Sequence, residues 1–210
     1  MQTTGNRIGI MVVDDHPLLR EGIAAVIGGQ PDMQLVAEAA TGIEAVEQFA
    51  AHHPDVTLMD LQMPAMNGID AIAAIRERSP SARIVVLTTY HGDVQALRAF
   101  KAGASGYLLK SMLRKELVDT IRQVHAGGKR VPAEIAKEIA EYASSEALSA
   151  REIEVLRQVA GGNANKRVAV QLGISEETVK AHMKSILSKL AASDRTHAVT
   201  IALKRGIIET

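Results

Sequence analysis

Five short apolar runs, "IGIMVV" at 8 to 13, "MQLVA" at 33 to 37, "VTLM" at 56 to 59, "IVVL" at 84 to 87 and "GYLL" at 106 to 109, recur through the first 110 residues. Short runs of this kind, rich in β-branched residues, predict strands. Amphipathic stretches lie between them. Leu19, Ile23, Val26 and Ile27 share one face of the first, and Leu117, Val118, Ile121 and Val124 share one face of the last. A strand apolar on both sides cannot face water, so helices must cover both faces of the sheet it joins. Strands and helices in alternation then imply a parallel sheet, and such sheets bind ligands beyond the carboxyl ends of their strands.

At those ends stand Asp14 and Asp15 after the first run, Asp60 after the third, Thr88 after the fourth and Lys110 after the fifth. All are polar, and the topology brings them to one rim. Three carboxylates together repel and raise one another's pKa, a cost that a hard divalent cation with oxygen ligands removes. Mg²⁺ is the expected ion. It keeps several waters and takes one or two carboxylates directly, leaving positions for a phosphoryl group and one carboxylate to serve as nucleophile. An aspartyl phosphate needs its oxygens neutralised, for which Lys110 offers a compact cation and Thr88 a hydroxyl donor. Any one of these residues alone could equally cap a helix or pair with a surface charge. Their joint placement favours the chemical reading.

The 210 residues suffice for two domains and contain no cysteine, which excludes disulfides, thiolate metal sites and cysteine nucleophiles. No apolar stretch approaches the roughly 20 residues of a membrane span, and the N-terminus reaches Asp14 before a signal-type segment develops, so a cytoplasmic protein without membrane partners is expected. Basic and acidic residues number 11 and 14 up to position 125, but 10 and 6 from position 149. An acidic front and a basic back point to different partners. His16 lies beside the acid pair, and His52, His53, His91 and His125 are expected at helix ends or loops; none shows metal-ligand spacing.

The stretches "VVDDHPLLREGI", "DVTLMDLQMPAMNGID", "IVVLTTY" and "AGASGYLLK" resemble the receiver domain of bacterial two-component response regulators over about residues 6 to 125. The resemblance implies a flavodoxin-like fold of five parallel strands and five helices, and phosphotransfer from a sensor histidine kinase to Asp60. It also implies direct Mg²⁺ ligation by Asp15, Asp60 and the backbone carbonyl of Gln62, with Asp14 acting through water. Thr88 and Lys110 match the switch hydroxyl and the phosphate-contacting lysine. Tyr107 matches the switch aromatic, whose ring swings inward as the hydroxyl moves toward the phosphate. Pro64 and Gly68 in "MPAMNG" fit a turn that closely approaches the site. A departure follows the lysine, where Ser111 and Met112 replace the usual proline or aspartate.

Residues 126 to 147 carry a glycine pair, then Pro132 opening a short helical stretch, then serines, and read as a linker. From there the chain is wholly helical. In "LSAREIEVL", Ser149 stands three residues before Glu152 as a capping box, with Ile153, Leu156 and Val159 on one face. Ala169, Gly173 and Val179 then follow the spacing A-x3-G-x5-V: a small residue where helices cross, a glycine in the turn and an apolar residue holding the second helix. An ordinary helical hairpin shares this spacing. In the second helix Ser175 can cap, and Val179, Met183, Ile186, Leu187 and Leu190 form the buried stripe. Ala181, Lys184, Ser185 and Ser188 are placed on the opposite face, with Lys180 at its edge and Thr178 one turn before. A lysine-bearing face of small residues can enter the major groove of double-stranded DNA.

Residues 148 to 210 resemble the LuxR-type helix-turn-helix through "LSAREIEVLRQVAGG", "GISEETVKAHMKSILSKL" and "SDRTHAVTIALKRGII", an all-α domain of four helices. With the receiver, this is the plan of the NarL/FixJ family. The resemblance implies that Lys180, Ala181 and Lys184 face bases and that the helix from about Arg195 to Lys204 forms the dimer contact. At "NKRVAV" it meets a departure, Arg167 and Val168 replacing an acidic residue and isoleucine. Arg167 then either adds a phosphate contact or disturbs an internal ion pair. The expected function is a regulator whose phosphorylation favours a homodimer that binds DNA. A Mg²⁺-dependent phosphohydrolase would need a second carboxylate near its nucleophile, where "MDLQMP" offers Gln62, and a cap that these loops are too short to build. A DNA binder with a degenerate receiver is opposed by the intact set Asp14, Asp15, Asp60, Thr88 and Lys110.

Overall fold

Among the residues described in the computed structural model (7–89, 93–133, 135–137 and 146–208), the strands pair as one parallel sheet in the order β2-β1-β3-β4-β5. They are β1 (Ile8–Val13), β2 (Met33–Ala39), β3 (Val56–Asp60), β4 (Ile84–Thr88) and β5 (Gly106–Leu109). Every residue of β1, β3 and β4 is buried, as an apolar run between two neighbours and two helical layers requires. β2 lies at an edge and carries exposed Gln34 and Glu38. Five helices connect and follow the strands: α1 (Pro17–Gly28), α2 (Gly42–His52), α3 (Gly68–Arg78), α4 (Asp93–Ala102) and α5 (Leu113–His125). The described residues form two compact units, 7–89 with 97–132 in one, and 93–96 with those from 133 to 208 in the other.

Period-two alternation sends Ile8, Ile10 and Val12 of β1, Leu58 of β3 and Leu87 of β4 into one core with Ile23 and Ile27 of α1 and Leu117, Ile121 and Val124 of α5. Val26, expected on that stripe, is 39% exposed, because one helical step carries it off the buried face. The strands also run longer than their apolar letters suggest: Asp60 and Thr88 are the last residues of β3 and β4. The strand order reverses between β1 and its neighbours β2 and β3, and this switch point opens a crevice at their carboxyl ends.

Gly68, the first residue of α3, fixes that crevice. A Cβ there would lie 2.0 Å from the Asp60 carbonyl oxygen and 2.8 Å from Leu61 Cα. Only a glycine lets α3 start this close to the end of β3. Gly68→Ala is expected to destabilise the domain by about 2 kcal/mol, as overpacking against backbone does. Chemical denaturation checks this, and an unchanged midpoint would show that the loop yields freely.

Beyond α5 the backbone stays bonded to the sheet edge. Tyr107 N–H donates to the Arg130 carbonyl at 2.9 Å and Arg130 N–H to the Ser105 carbonyl at 3.1 Å, forming a parallel bridge beside β5. The short helix expected after Pro132 falls mostly outside the described residues; Ala133 and Ile135 to Lys137 are helical.

The second unit contains α6 (Ala150–Ala160), α7 (Asn165–Leu172), α8 (Glu176–Lys189) and α9 (Arg195–Lys204). The capping box at Ser149 and Glu152 is formed in both directions. Val155, Leu156, Val168, Val179, Ile186 and Ala198 share its core. Gly173 turns the chain between α7 and α8 at φ 65°, the left-handed region that glycine enters without penalty.

Candidate functional site

Strand register builds the first site. Val13 pairs with Met59, so Asp14 and Asp60 stand side by side one step on. Asp60 pairs with Leu87 and Thr88 with Leu109, which brings Thr88 and Lys110 to the same rim. The Lys110 ammonium lies 2.8 Å from Asp60 Oδ2 and 2.8 Å from Asp14 Oδ2. Asp14 is fully buried and Asp60 nearly so, whereas Asp15 keeps about a third of its side chain exposed, 33%. Arg20 donates to the Asp14 carbonyl at 2.6 Å, and Gln62 N–H to Asp60 Oδ1 at 3.4 Å. Thr88 is buried at the end of β4. Tyr107 lies wholly inside, its ring centroid 6.3 Å from that of Phe100. Ser111 and Met112 belong to one 3₁₀ turn with Lys110 that runs into α5.

The electrostatics follow from this crowding. Burial pushes the Asp60 carboxyl above its ordinary range; Lys110 pulls it back and Asp14 pushes it further. Burial alone would lower the Lys110 ammonium, but hydrogen bonds to Asp14 and Asp60 outweigh that and hold it above its ordinary value. Asp14 Oδ2, beside the Lys110 ammonium, and Asp15 Oδ1, beside His16 Nδ1, are shielded from water, and carboxylate oxygens gathered in this way suit a cation. At neutral pH the ionised Asp60 is thus a burden on the ion-free fold. Asp60→Asn is expected to raise the unfolding temperature in chelator at pH 7 by roughly 3 °C, the shift that about 1 kcal/mol gives in a domain of this size. Since the folded pKa lies above the unfolded one, wild type gains stability as pH falls toward 3.8, and the advantage of the variant should shrink there. A variant less stable at pH 7 would contradict this account.

His16, which the sequence places beside the acid pair with no metal-ligand spacing, belongs to this cluster. Its Nδ1 lies 2.7 Å from Asp15 Oδ1 and 3.2 Å from Asp14 Oδ1. Potential ligand atoms of Asp14, Asp15, His16 and Asp60 all lie within 4.8 Å of one another. Spacing rules miss it because the donors come from two strand ends, not from one helix. His91 lies outside the described residues.

The second site lies on α7, its turn and α8. Ser175 Oγ accepts from Thr178 N–H at 3.0 Å and caps α8. Val179, Met183, Ile186 and Leu190 are buried, with Leu187 half-buried. Thr178, Lys180, Ala181, Lys184 and Ser188 are exposed on α8, and Arg167 is exposed on α7. Lys180 also reaches Glu177 at 3.2 Å, a solvated pair. Ser185 departs from the expected face: it is half-buried and its hydroxyl donates to Glu152 Oε1 at 2.6 Å. Glu152 Oε2 accepts from Lys189 at 3.0 Å and from the Ser149 backbone N–H at 2.7 Å. Ser185 and Lys189, four residues apart on α8, thus converge on one buried carboxylate of α6.

Residues 10–122 match the family described as the response regulator receiver domain, and residues 146–202 that of the bacterial regulatory proteins, luxR family. The chain is 39% identical over 207 residues to the transcriptional regulatory protein YhcZ of Bacillus subtilis, covering 94% of this chain and 96% of that one. It is 37% identical over 198 residues to the nitrate/nitrite response regulator protein NarL of Escherichia coli, covering 90% and 92%. Among solved structures, ChrA, the response regulator of a heme-sensing two-component system, shares 35% identity with a TM-score of 0.58, covering 97% of this chain and 100% of that one.

Proposed function

The chain belongs to the luxR-type two-component response regulators, transcription regulators rather than enzymes, and we propose that phosphoryl transfer to Asp60 switches its binding to DNA. The observation that carries this reading is the Lys110 ammonium held 2.8 Å from both the Asp60 and the Asp14 carboxylates at the switch point of the sheet. The donor is a phosphohistidine of a sensor kinase. An Asp60 carboxylate oxygen attacks phosphorus, the phosphorus–nitrogen bond breaks, and its electron pair returns to the donor imidazole. Lys110 pulls the Asp60 carboxyl down against the effect of burial beforehand and faces the new anion afterwards. Thr88 donates its hydroxyl to the transferred group, and Tyr107 packs behind it.

The oxygen-rich rim fits Mg²⁺, which Asp15, Asp60 and the Gln62 carbonyl would hold directly and Asp14 through water. When bound it supplies charge neutralisation to the phosphoryl oxygens. On the DNA side, Lys180, Ala181 and Lys184 face base edges, while Thr178, Ser188 and Arg167 contact the phosphate backbone. Ser185 is left out because Glu152 occupies its hydroxyl. The phosphorylated chain forms a homodimer with α9 as a contact. No helix among the described residues is long and apolar enough to cross a membrane; the proposed place of action is the cytoplasm, on DNA.

Intact mass with a small phosphodonor tests the reading. One added phosphoryl group is expected, dependent on Mg²⁺ and absent in Asp60→Asn. Titration of duplex DNA at fixed salt should then show tighter, dimeric binding by the modified form. An adduct surviving in Asp60→Asn, or affinity unchanged by the modification, would overturn it.

A further inference from the structure

The receiver's acid cluster contains a donor that an all-oxygen site does not. We propose that His16 Nδ1 is a ligand of the ion held by Asp15 and Asp60, with Asp14 acting through water, and that this nitrogen makes the site favour a borderline transition-metal dication such as Mn²⁺ over Mg²⁺. The inference rests on the cation-dependent reading given above and concerns which cation the site takes.

Three observations carry it. The ring nitrogen is already among the oxygens, 2.7 Å from Asp15 Oδ1 and 3.2 Å from Asp14 Oδ1. The 4.8 Å that spans the four donor atoms is close to twice a metal–ligand distance of roughly 2.1 Å, so a single ion can sit among them after small side-chain adjustments. Asp14 Oδ2, 2.8 Å from the Lys110 ammonium, and Asp15 Oδ1, 2.7 Å from His16 Nδ1, are both shielded from water, so the cluster's oxygens already draw positive charge toward them.

Local backbone chemistry aims the imidazole. His16 is the N-cap of α1 and makes no side-chain capping bond, so its ring is not spent on the helix. Its backbone N–H instead donates to Asp14 Oδ1 at 2.9 Å, which folds the residue back over the acid pair. Pro17 then starts the helix with a fixed φ. His16 is 70% exposed in its side chain, and an incoming ion can displace it by a rotamer change without disturbing the core. The selectivity follows from ligand hardness: Mg²⁺ gains little from exchanging a water for imidazole, whereas the later divalent ions gain substantially.

Calorimetric titration of the full chain with MgCl₂ and with MnCl₂, for wild type, His16→Ala and His16→Gln, measures the preference. Both variants should weaken Mn²⁺ by roughly tenfold, as loss of a metal-site imidazole does, and leave Mg²⁺ within twofold. Pulsed electron paramagnetic resonance of the Mn²⁺-loaded wild type should show coupling to a ¹⁴N nucleus that vanishes in both variants. That coupling would be absent already from wild type if His16 served only as a hydrogen-bond partner of Asp15. Equal losses for both ions, or no nitrogen coupling in wild type, would overturn the inference while leaving the cation site standing. Failure of either ion to bind wild type would remove both this inference and the cation-dependent reading beneath it.

Discussion

Lys110→Met should slow phosphorylation of Asp60 by a small phosphodonor about 100-fold at pH 7, the loss expected when a positioned cation is removed from the oxygens it stabilises. Two effects combine. The transferred oxygens lose the ammonium that faces them, and the Asp60 carboxyl, which burial already pushes up, loses the group that pulls it down. More of Asp60 is then protonated and unable to attack. The defect should therefore shrink as pH rises, while wild type changes little. Intact mass sampled over time reads the rate, and a decrease under threefold would show that Lys110 is no more than an ion-pair partner. The same variant leaves Asp14 and Asp60 buried without their cation, an arrangement that costs on the order of 3 kcal/mol. Protonation of Asp60 relieves part of it, so the variant should gain stability as pH falls, the folded Asp60 pKa lying above the unfolded one.

Glu152 behaves in the opposite sense. Burial alone would raise its carboxyl, yet hydrogen bonds from Ser185, the Ser149 backbone and Lys189 outweigh it and hold the value at about 2, against an ordinary 4.5. A depressed folded pKa stabilises above the unfolded value, and the contribution fades as pH falls from 4.5 to about 2. At 1.36 kcal/mol per pH unit this amounts to about 3 kcal/mol. The helical domain should lose amide protection of α6 and α8 across that window, measured by hydrogen exchange on the full chain. Glu152→Gln should start less protected at pH 7 and show a flatter profile. A variant with unchanged protection at pH 7 would mean that the network adds nothing to stability.

Much of the receiver was legible because two independent signals agreed: five apolar runs gave strands, and the polar residues ending them gave one rim. Strand register then brought Asp14, Asp60 and Lys110 within reach of one another. The place of His16 beside the acid pair was legible, but the turn of its ring onto Asp14 and Asp15 was not, because that arises from a backbone fold-back onto Asp14 that no spacing rule encodes. Ser185 was misplaced for a related reason. Its angular position lies between the buried and exposed faces of α8, and its direction is decided by Glu152, 33 residues away in sequence. The Arg130 bridge depends on a free strand edge, which only the assembled sheet defines.

That bridge alters how far the tether between the two functional regions can reach. By composition the linker begins at residue 126, but the backbone is hydrogen-bonded to β5 through Arg130. Only residues 131 to 148 separate this anchor from the α6 cap at Ser149. Fully extended, those residues span roughly 60 Å, and every helical turn among them shortens the reach by more than half of its share. A shorter leash raises the local concentration of the DNA-binding domain around its own receiver, which favours intramolecular encounters over those with a second molecule. Freeing Arg130 from the strand edge would add slack and tip that competition toward the second molecule.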